Sequence, residues 1–235
     1  MKQLLILLLI MSGPIAYSQT PFLEGGGEGA LNKLTYYLPG KGERTYSYDE
    51  IKGSPYLPDE FVKGNVIIHV KKKKFLLPLR YNAYSDQIEY LKNGTSMVFK
   101  NPFLISKVEF GGSTYVFKMT DGFSKDKKGS FFVQLYGSER IELLKKQQVR
   151  FIPEQVAKDS YSSNKPPKFS KVLEEFYIVF GENTPVLLSK SKKRIIGILE
   201  DKGYKVKDFI KKEKLNLKEE EGLIRLMEFC DQLQM

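Results

Sequence analysis

The chain reads as mainly β with C-terminal helices, an α+β protein built on an antiparallel meander. Three observations predict this. Apolar residues recur at period two in short β-branched and aromatic runs from Asn65 to Leu188, bounded by Gly, Asn and Ser turn signals. From Lys190 onward the period lengthens to that of amphipathic helix. A single cysteine forbids an internal disulfide, so a chain 41% hydrophobic and 13% aromatic must rest on its core.

Met1-Lys2-Gln3, the apolar run Leu4 to Met11 and the small residues Ala16 and Ser18 have the order of a secretory leader, residues 1–18, cleaved before Gln19. The run is far shorter than the roughly 20 residues that span a bilayer, and no cysteine follows it to carry a lipid anchor. A periplasmic or secreted protein is expected, with no transmembrane segment in the mature chain. Residues 19–33, containing "EGGGEGALNK", read as a flexible tether. A phosphate-binding loop is excluded there, since neither Lys-Ser nor Lys-Thr follows the glycines. From Thr35 to Val62 the Tyr, Pro and Gly content predicts irregular structure lying against the core.

The β-meander region spans 34–189. Its clearest turn is Asn93-Gly94, where both residues tolerate the positive φ of a type I′ turn. The register that follows sets Tyr90 opposite Met97 and Ile88 opposite Phe99 on an inward face, with Glu89, Leu91, Ser96 and Val98 on the other. Gly111-Gly112 repeats the argument, placing Val108, Phe110, Tyr115 and Phe117 together, and a third hairpin turns at Gly137-Ser138 with mixed faces that imply cover on both sides. Two more strands flank Gly181-Glu182-Asn183.

In "PLRYNAYSDQIEY" the residues Arg80, Asn82, Tyr84 and Asp86 share one parity along a straight strand, a candidate polar cluster. As a site it would be a pocket wall. As a scaffold Arg80, a rigid five-donor fork, would tie Asp86, Glu89 or carbonyls at a bend, and the scaffold is the favoured reading. Asp86 and Glu89 have odd spacing, which sends their carboxylates to opposite faces and removes paired acid–base work.

The helical segment is 190–235. Ile195, Ile196 and Leu199 mark a first helix ending near Gly203, and Val206, Phe209 and Ile210 a second. Asn216 and Glu219 have capping-box spacing before a third, in which Leu223, Leu226, Met227 and Cys230 line the apolar stripe, making Cys230 a buried thiol. Between Lys190 and Lys218 there are 11 Lys/Arg and 4 Asp/Glu, so this segment carries 11 − 4 = +7 of the formal +10. Lys192, Lys193, Arg194, Lys205, Lys207, Lys211, Lys212 and Lys214 are therefore the candidate residues for an anionic surface, against the plainer reading of a solvated helix face.

No catalytic, metal or cofactor signature stands out. His69 is the only histidine, so neither a multi-histidine metal site nor a regular triad is available. Ser124-x-x-Lys127 and Ser189-x-x-Lys192 match Ser-x-x-Lys, and Ser162-Ser163-Asn164 a Ser-x-Asn, but no Lys-Thr-Gly follows in a lysine-rich chain. No cofactor is expected. Nucleic acid is the usual partner of a chain with pI near 9.3, yet no nucleic-acid motif accompanies the charge.

"YDEIKGSPYLPDEFVKGNV", "LPLRYNAYSDQIEY" and "LKEEEGLIRLMEFCDQL" together resemble a pattern in uncharacterised exported proteins of Gram-negative bacteria. The resemblance covers about a third of the mature chain. It implies an exported β-rich protein and no established activity. Three readings follow: a non-enzymatic envelope or interaction module binding an anionic lipid, glycolipid or acidic protein; a carrier holding an amphiphile in a barrel or half-barrel; and an enzyme of unrecognised type.

Overall fold

The structure is a computed structural model that describes residues 27–29, 32–38, 42–120, 129–155, 157, 163–188 and 191–233. The expected leader, most of the tether, and Ser124, Lys127, Ser162, Ser189 and Lys190 lie outside the described residues.

A short strand β1 (Gly27–Gly29) precedes a hairpin of β2 (Lys33–Leu38) and β3 (Gly42–Ser47). Then come β4 (Tyr56–Ile68), β5 (Lys74–Asn82), β6 (Gln87–Lys92), β7 (Thr95–Phe99), β8 (Ile105–Phe110), β9 (Ser113–Met119), β10 (Gly129–Gly137) and β11 (Ile141–Gln148). A two-residue pair, β12 (Phe151–Ile152) with β13 (Lys168–Phe169), is followed by β14 (Leu173–Phe180) and β15 (Val186–Leu187). Helices α1 (Lys192–Glu200), α2 (Lys207–Lys212) and α3 (Glu220–Gln232) complete the chain.

Eleven strands form one antiparallel sheet in the order β1-β7-β6-β5-β4-β8-β9-β10-β11-β14-β15. The order corrects the simple meander. The chain runs outward from β4 to β7, then returns through a 3₁₀ turn at Pro102–Leu104, so that β8 pairs with the free side of β4. The period-two runs carry no record of which edge a returning strand joins. Gly64 is one reason for the choice: a Cβ there would stand 2.5 Å from the Glu109 carbonyl oxygen, so only glycine lets β4 and β8 approach this closely.

Two further corrections concern the N-terminal third. The region expected to be irregular contains the β2–β3 hairpin, and β4 already begins at Tyr56. Part of the expected tether, Gly27–Gly29, is an edge strand against Met97–Phe99. Glycine supplies backbone donors and acceptors as well as any residue does, and the open edge of β7 needs them.

The hairpin register has Tyr90 opposite Met97 and Glu89 opposite Val98, with Asn93 at φ 51° and Gly94 at φ 78°, both positive as a type I′ turn requires. Val108 pairs with Tyr115 and Phe110 with Ser113. The inward face is a core of Val66, Leu79, Tyr81, Ile88, Tyr90, Val108, Phe110, Tyr115 and Phe131, closed on one side by Leu34, Tyr46, Tyr48 and Phe169.

The sheet curls without closing, since β1 and β15 remain its two edges. Flat, β5 and β11 would stand five strand spacings apart, about 24 Å at roughly 4.8 Å each. Instead the Tyr81 hydroxyl lies 3.2 Å from the Gln147 carbonyl oxygen, and the Val149 N–H donates to the Ala83 carbonyl at 3.0 Å. Aromatic side chains fill the curl: Tyr81 meets Tyr115 at 5.3 Å and Phe110 stacks on Tyr115 at 4.7 Å.

The helices cover β10, β11 and β14 in a second core of Ile141, Leu143, Ile178, Ile195, Leu199, Val206, Ile210, Leu226, Met227 and Cys230. Phe209 and Phe229 stack at 3.8 Å, and Lys145 reaches Glu220 at 2.6 Å to hold α3 to the sheet. Burial pushes the Cys230 thiol up to about 12, with the Asp231 carboxylate adding to the effect. The opposite parity of the same strands, with Val116 of neighbouring β9, buries Phe132, Leu144 and Val179, so this end of the sheet is covered on both faces. Asn216 and Glu219 bond side chain to side chain at 2.6 Å and close the turn before α3, whose N-cap is Glu219. The box spacing thus marks the loop and not the helix start.

Candidate functional site

The β5–β6 hairpin splits the predicted cluster: Arg80 and Asn82 join one ion pair, Asp86 another, and Tyr84 neither. Arg80 stands opposite Glu89 in the ladder, and its Nε and Nη2 donate to Glu89 Oε2 at 2.9 and 2.8 Å. Ser96 Oγ donates to the same oxygen at 2.8 Å, and Asn82 Nδ2 to Oε1 at 3.2 Å. With its side chain only 1% exposed, Glu89 is thus met by donors on both carboxylate oxygens.

Across from Arg80, β4 departs from the ladder. Between the pairs Leu57–Tyr81 and Val62–Leu79, the four residues Pro58, Asp59, Glu60 and Phe61 face Arg80 alone. This bulge brings rings onto the guanidinium, with Tyr56 3.5 Å and Phe61 4.2 Å from Arg80 Cζ. Burial, reinforced by Glu89 and opposed by Arg80, pushes the Tyr56 phenol up to about 12. Arg80 also walls a cleft of about 370 Å³ with Tyr48, Tyr56 and Asp49.

Asn82 turns the chain. Its Oδ1 accepts from the N–H groups of Tyr84 and Ser85, and Asp86 takes a φ of 56°, so the straight strand behind the shared-parity expectation ends at Asn82. Tyr84 therefore leaves the cluster and packs on Phe169 at 5.7 Å, while Asp86 swings to the other side of the hairpin. Arg80 and Asp86 do not pair.

Asp86 meets Lys146 instead. Lys146 Nζ lies 2.5 Å from Asp86 Oδ1, 3.1 Å from the Phe131 carbonyl and 3.3 Å from the Tyr81 hydroxyl. The Tyr81 hydroxyl at 2.8 Å and the Phe131 N–H at 3.2 Å also serve Asp86 Oδ1. Burial lowers the Lys146 pKa below its ordinary value, with Asp86 opposing the effect. Burial first, and the Asp86 carboxylate second, push the Tyr81 phenol well above its ordinary range. The Lys146 side chain is 5% exposed and that of Asp86 27%, so the pair is buried at its cationic end and open at the other.

Above the pair is a cleft of about 490 Å³ walled by Tyr36, Tyr84, Phe151, Asp86, Gln148 and Arg150. In "RIELLKK" Lys146 shares the parity of apolar Leu144, and nothing in the linear sequence joins it to Asp86. Glu89 was within reach, because a four-residue turn at 83–86 sets it opposite Arg80.

The tail cations lie elsewhere. Lys192, Lys193, Arg194, Lys205, Lys207, Lys211, Lys212 and Lys214 are all exposed. Lys207 pairs with Glu200 at 2.9 Å. Lys192, Lys193 and Arg194 occupy the first turn of α1 with no acidic residue beside them, against the positive end of the helix dipole. His69 is exposed at the end of β4, and among the described residues no group of three or more His, Cys, Asp and Glu is placed to hold a metal. No described helix is long and apolar enough to cross a membrane.

Compared with known proteins, the chain matches no family model, no curated protein and no solved structure.

Proposed function

We propose that this chain is a non-enzymatic, exported binding module that docks on anionic lipid headgroups through its C-terminal helices. One observation carries the reading: eight exposed cations project from three short stretches, Lys192 to Arg194, Lys205 to Lys207 and Lys211 to Lys214, whose apolar partners Ile195, Leu199, Val206 and Ile210 are buried in the second core. The apolar side is held by the sheet, so the cations have only the outside. Three of them crowd a helix N-terminus, where like polarity weakens the helix unless an anion is supplied from outside. Near an anionic membrane each lysine contributes up to about 1 kcal/mol, decaying over roughly 8 Å at physiological salt, so the association is weak and reversible. The filled curl of the sheet favours this reading over a carrier, and the resemblance to exported proteins agrees with the compartment.

Cosedimentation with phosphatidylglycerol vesicles and with neutral phosphatidylcholine vesicles, at low and high salt, tests it. Anionic vesicles should retain the protein at low salt and release it at high salt, and replacing Lys205, Lys211, Lys212 and Lys214 by Gln should abolish retention. Equal recovery with both lipids overturns the lipid reading. Salt-sensitive capture by an acidic protein without lipid binding would move the same surface to a protein partner.

A further inference from the structure

We infer that the cleft over the Asp86–Lys146 pair is a carbohydrate site that takes one or two neutral sugar rings of an oligosaccharide. Lys146 uses its three donors on Asp86, the Phe131 carbonyl and the Tyr81 hydroxyl, and Asp86 Oδ1 receives Lys146, Tyr81 and Phe131. That floor is saturated and rigid. Among the described residues no hydrogen bond reaches Asp86 Oδ2, and none is made by the side-chain amide of Gln148 or the guanidinium of Arg150. All three residues wall the cleft.

The remaining walls are aromatic. Tyr36 and Phe151 lie 5.6 Å apart with their rings inclined at 58°, and Tyr84 is held from behind by Tyr48 and Phe169. Tyr36 and Tyr84 each remain 38% exposed although their neighbours fix them, so each offers a ring surface at little ordering cost.

Charge selects the ligand class. An anion would face the Asp86 carboxylate, and a cation would face Arg150 and Lys146. An apolar ligand would strip water from a carboxylate, an amide and a guanidinium and return no hydrogen bond. A zwitterionic amino acid satisfies both charges but is too small to reach the rings across a cleft of about 490 Å³. A neutral sugar answers every wall. Its C–H faces lie on Tyr36 or Tyr84, one hydroxyl donates to Asp86 Oδ2, and others accept from Arg150 and exchange with the Gln148 amide.

The site is independent of the lysine tail, and the experiment keeps them apart. A glycan array of neutral and acidic oligosaccharides is followed by titration calorimetry with maltotetraose, cellotetraose and chitotetraose, using glycine and inorganic phosphate as controls. At least one neutral oligosaccharide should bind with little salt dependence, and Tyr36→Ala and Gln148→Ala should each weaken it tenfold or more with an unchanged melting temperature. The tail variant with Lys205, Lys211, Lys212 and Lys214 changed to Gln should bind it as the wild type does. Binding of the glycan both free and as the headgroup of a glycolipid in a neutral vesicle would leave the site open to either source, whereas free glycan alone identifies a soluble chain. No neutral glycan bound, binding of phosphate or glycine in its place, or binding indifferent to both substitutions overturns the inference.

Discussion

Arg80–Glu89 and Lys146–Asp86 both draw on the β5–β6 hairpin, and each buries one partner more deeply than the other, yet they are built in opposite ways. In the first the carboxylate is the buried partner, 1% exposed and met by Arg80, Asn82 and Ser96, while two aromatic rings clamp the guanidinium. In the second the ammonium is the buried partner, and the carboxylate opens on a cleft. A carboxylate surrounded by fixed donors has nothing left to offer a ligand. One that is saturated on a single oxygen is held in place and still has an acceptor to present. The difference separates a brace for the β4 bulge from a platform for binding.

The comparison predicts its own largest effect. Arg80→Met removes the principal partner of the buried Glu89 side chain, so unfolding free energy from urea denaturation should fall by about 3–5 kcal/mol. A loss below about 1 kcal/mol would mean that water reaches Glu89 and that the two pairs are alike.

Lys146→Met should cost less, about 1–3 kcal/mol, because Asp86 keeps the Tyr81 hydroxyl, the Phe131 N–H and access to water. Its pH signature is the sharper test. Burial lowers the Lys146 pKa from the ordinary 10.5, so just below 10.5 the unfolded chain binds more protons at this group than the folded one. Wild-type stability relative to Lys146→Met should therefore rise with pH in the window below 10.5. A difference that stays flat up to pH 10.5 would contradict the burial of the ammonium.

Tyrosines near both pairs act in the opposite direction. Tyr56 and Tyr115 are pushed from the ordinary 10 up to about 12, chiefly by burial, so above pH 10 the unfolded chain loses these protons first. The stability associated with their neutral form is intact below 10 and is lost as pH rises toward 12. Alkaline titration followed by tyrosinate absorbance and circular dichroism should show ionisation of these phenols coinciding with unfolding.

The smallest effect belongs to the turn that carries Ser96 toward Glu89. Gly94→Ala places a Cβ at φ 78° and should lower stability by about 1 kcal/mol, read as a fall in the denaturation midpoint at unchanged m value. Because this turn lies at the opposite end of β6 from Asp86, Lys146 titration should be unaffected.

Local patterns determined much of this protein before any contact was known. Asn93-Gly94 and Gly111-Gly112 specify turns because few residues accept positive φ, and each turn then sets which side chains share a face. The stripe through Leu223, Leu226, Met227 and Cys230 put the thiol inside, and the apolar residues of α1 and α2 turned the lysines outward. What the tertiary structure alone decided is everything that depends on distant segments meeting. Return of β8 to β4 rests on a close approach at Gly64, and the clamp on Arg80 rests on a bulge in another strand. The platform needs Asp86 and Lys146, 60 positions apart, to be joined by the curl of a sheet that in flat form would hold β5, which leads into the turn of Asp86, about 24 Å from β11, which carries Lys146. Period and turn chemistry act over a few residues, whereas curl is a sum of small twists across many strands, and no single stretch of sequence contains that sum.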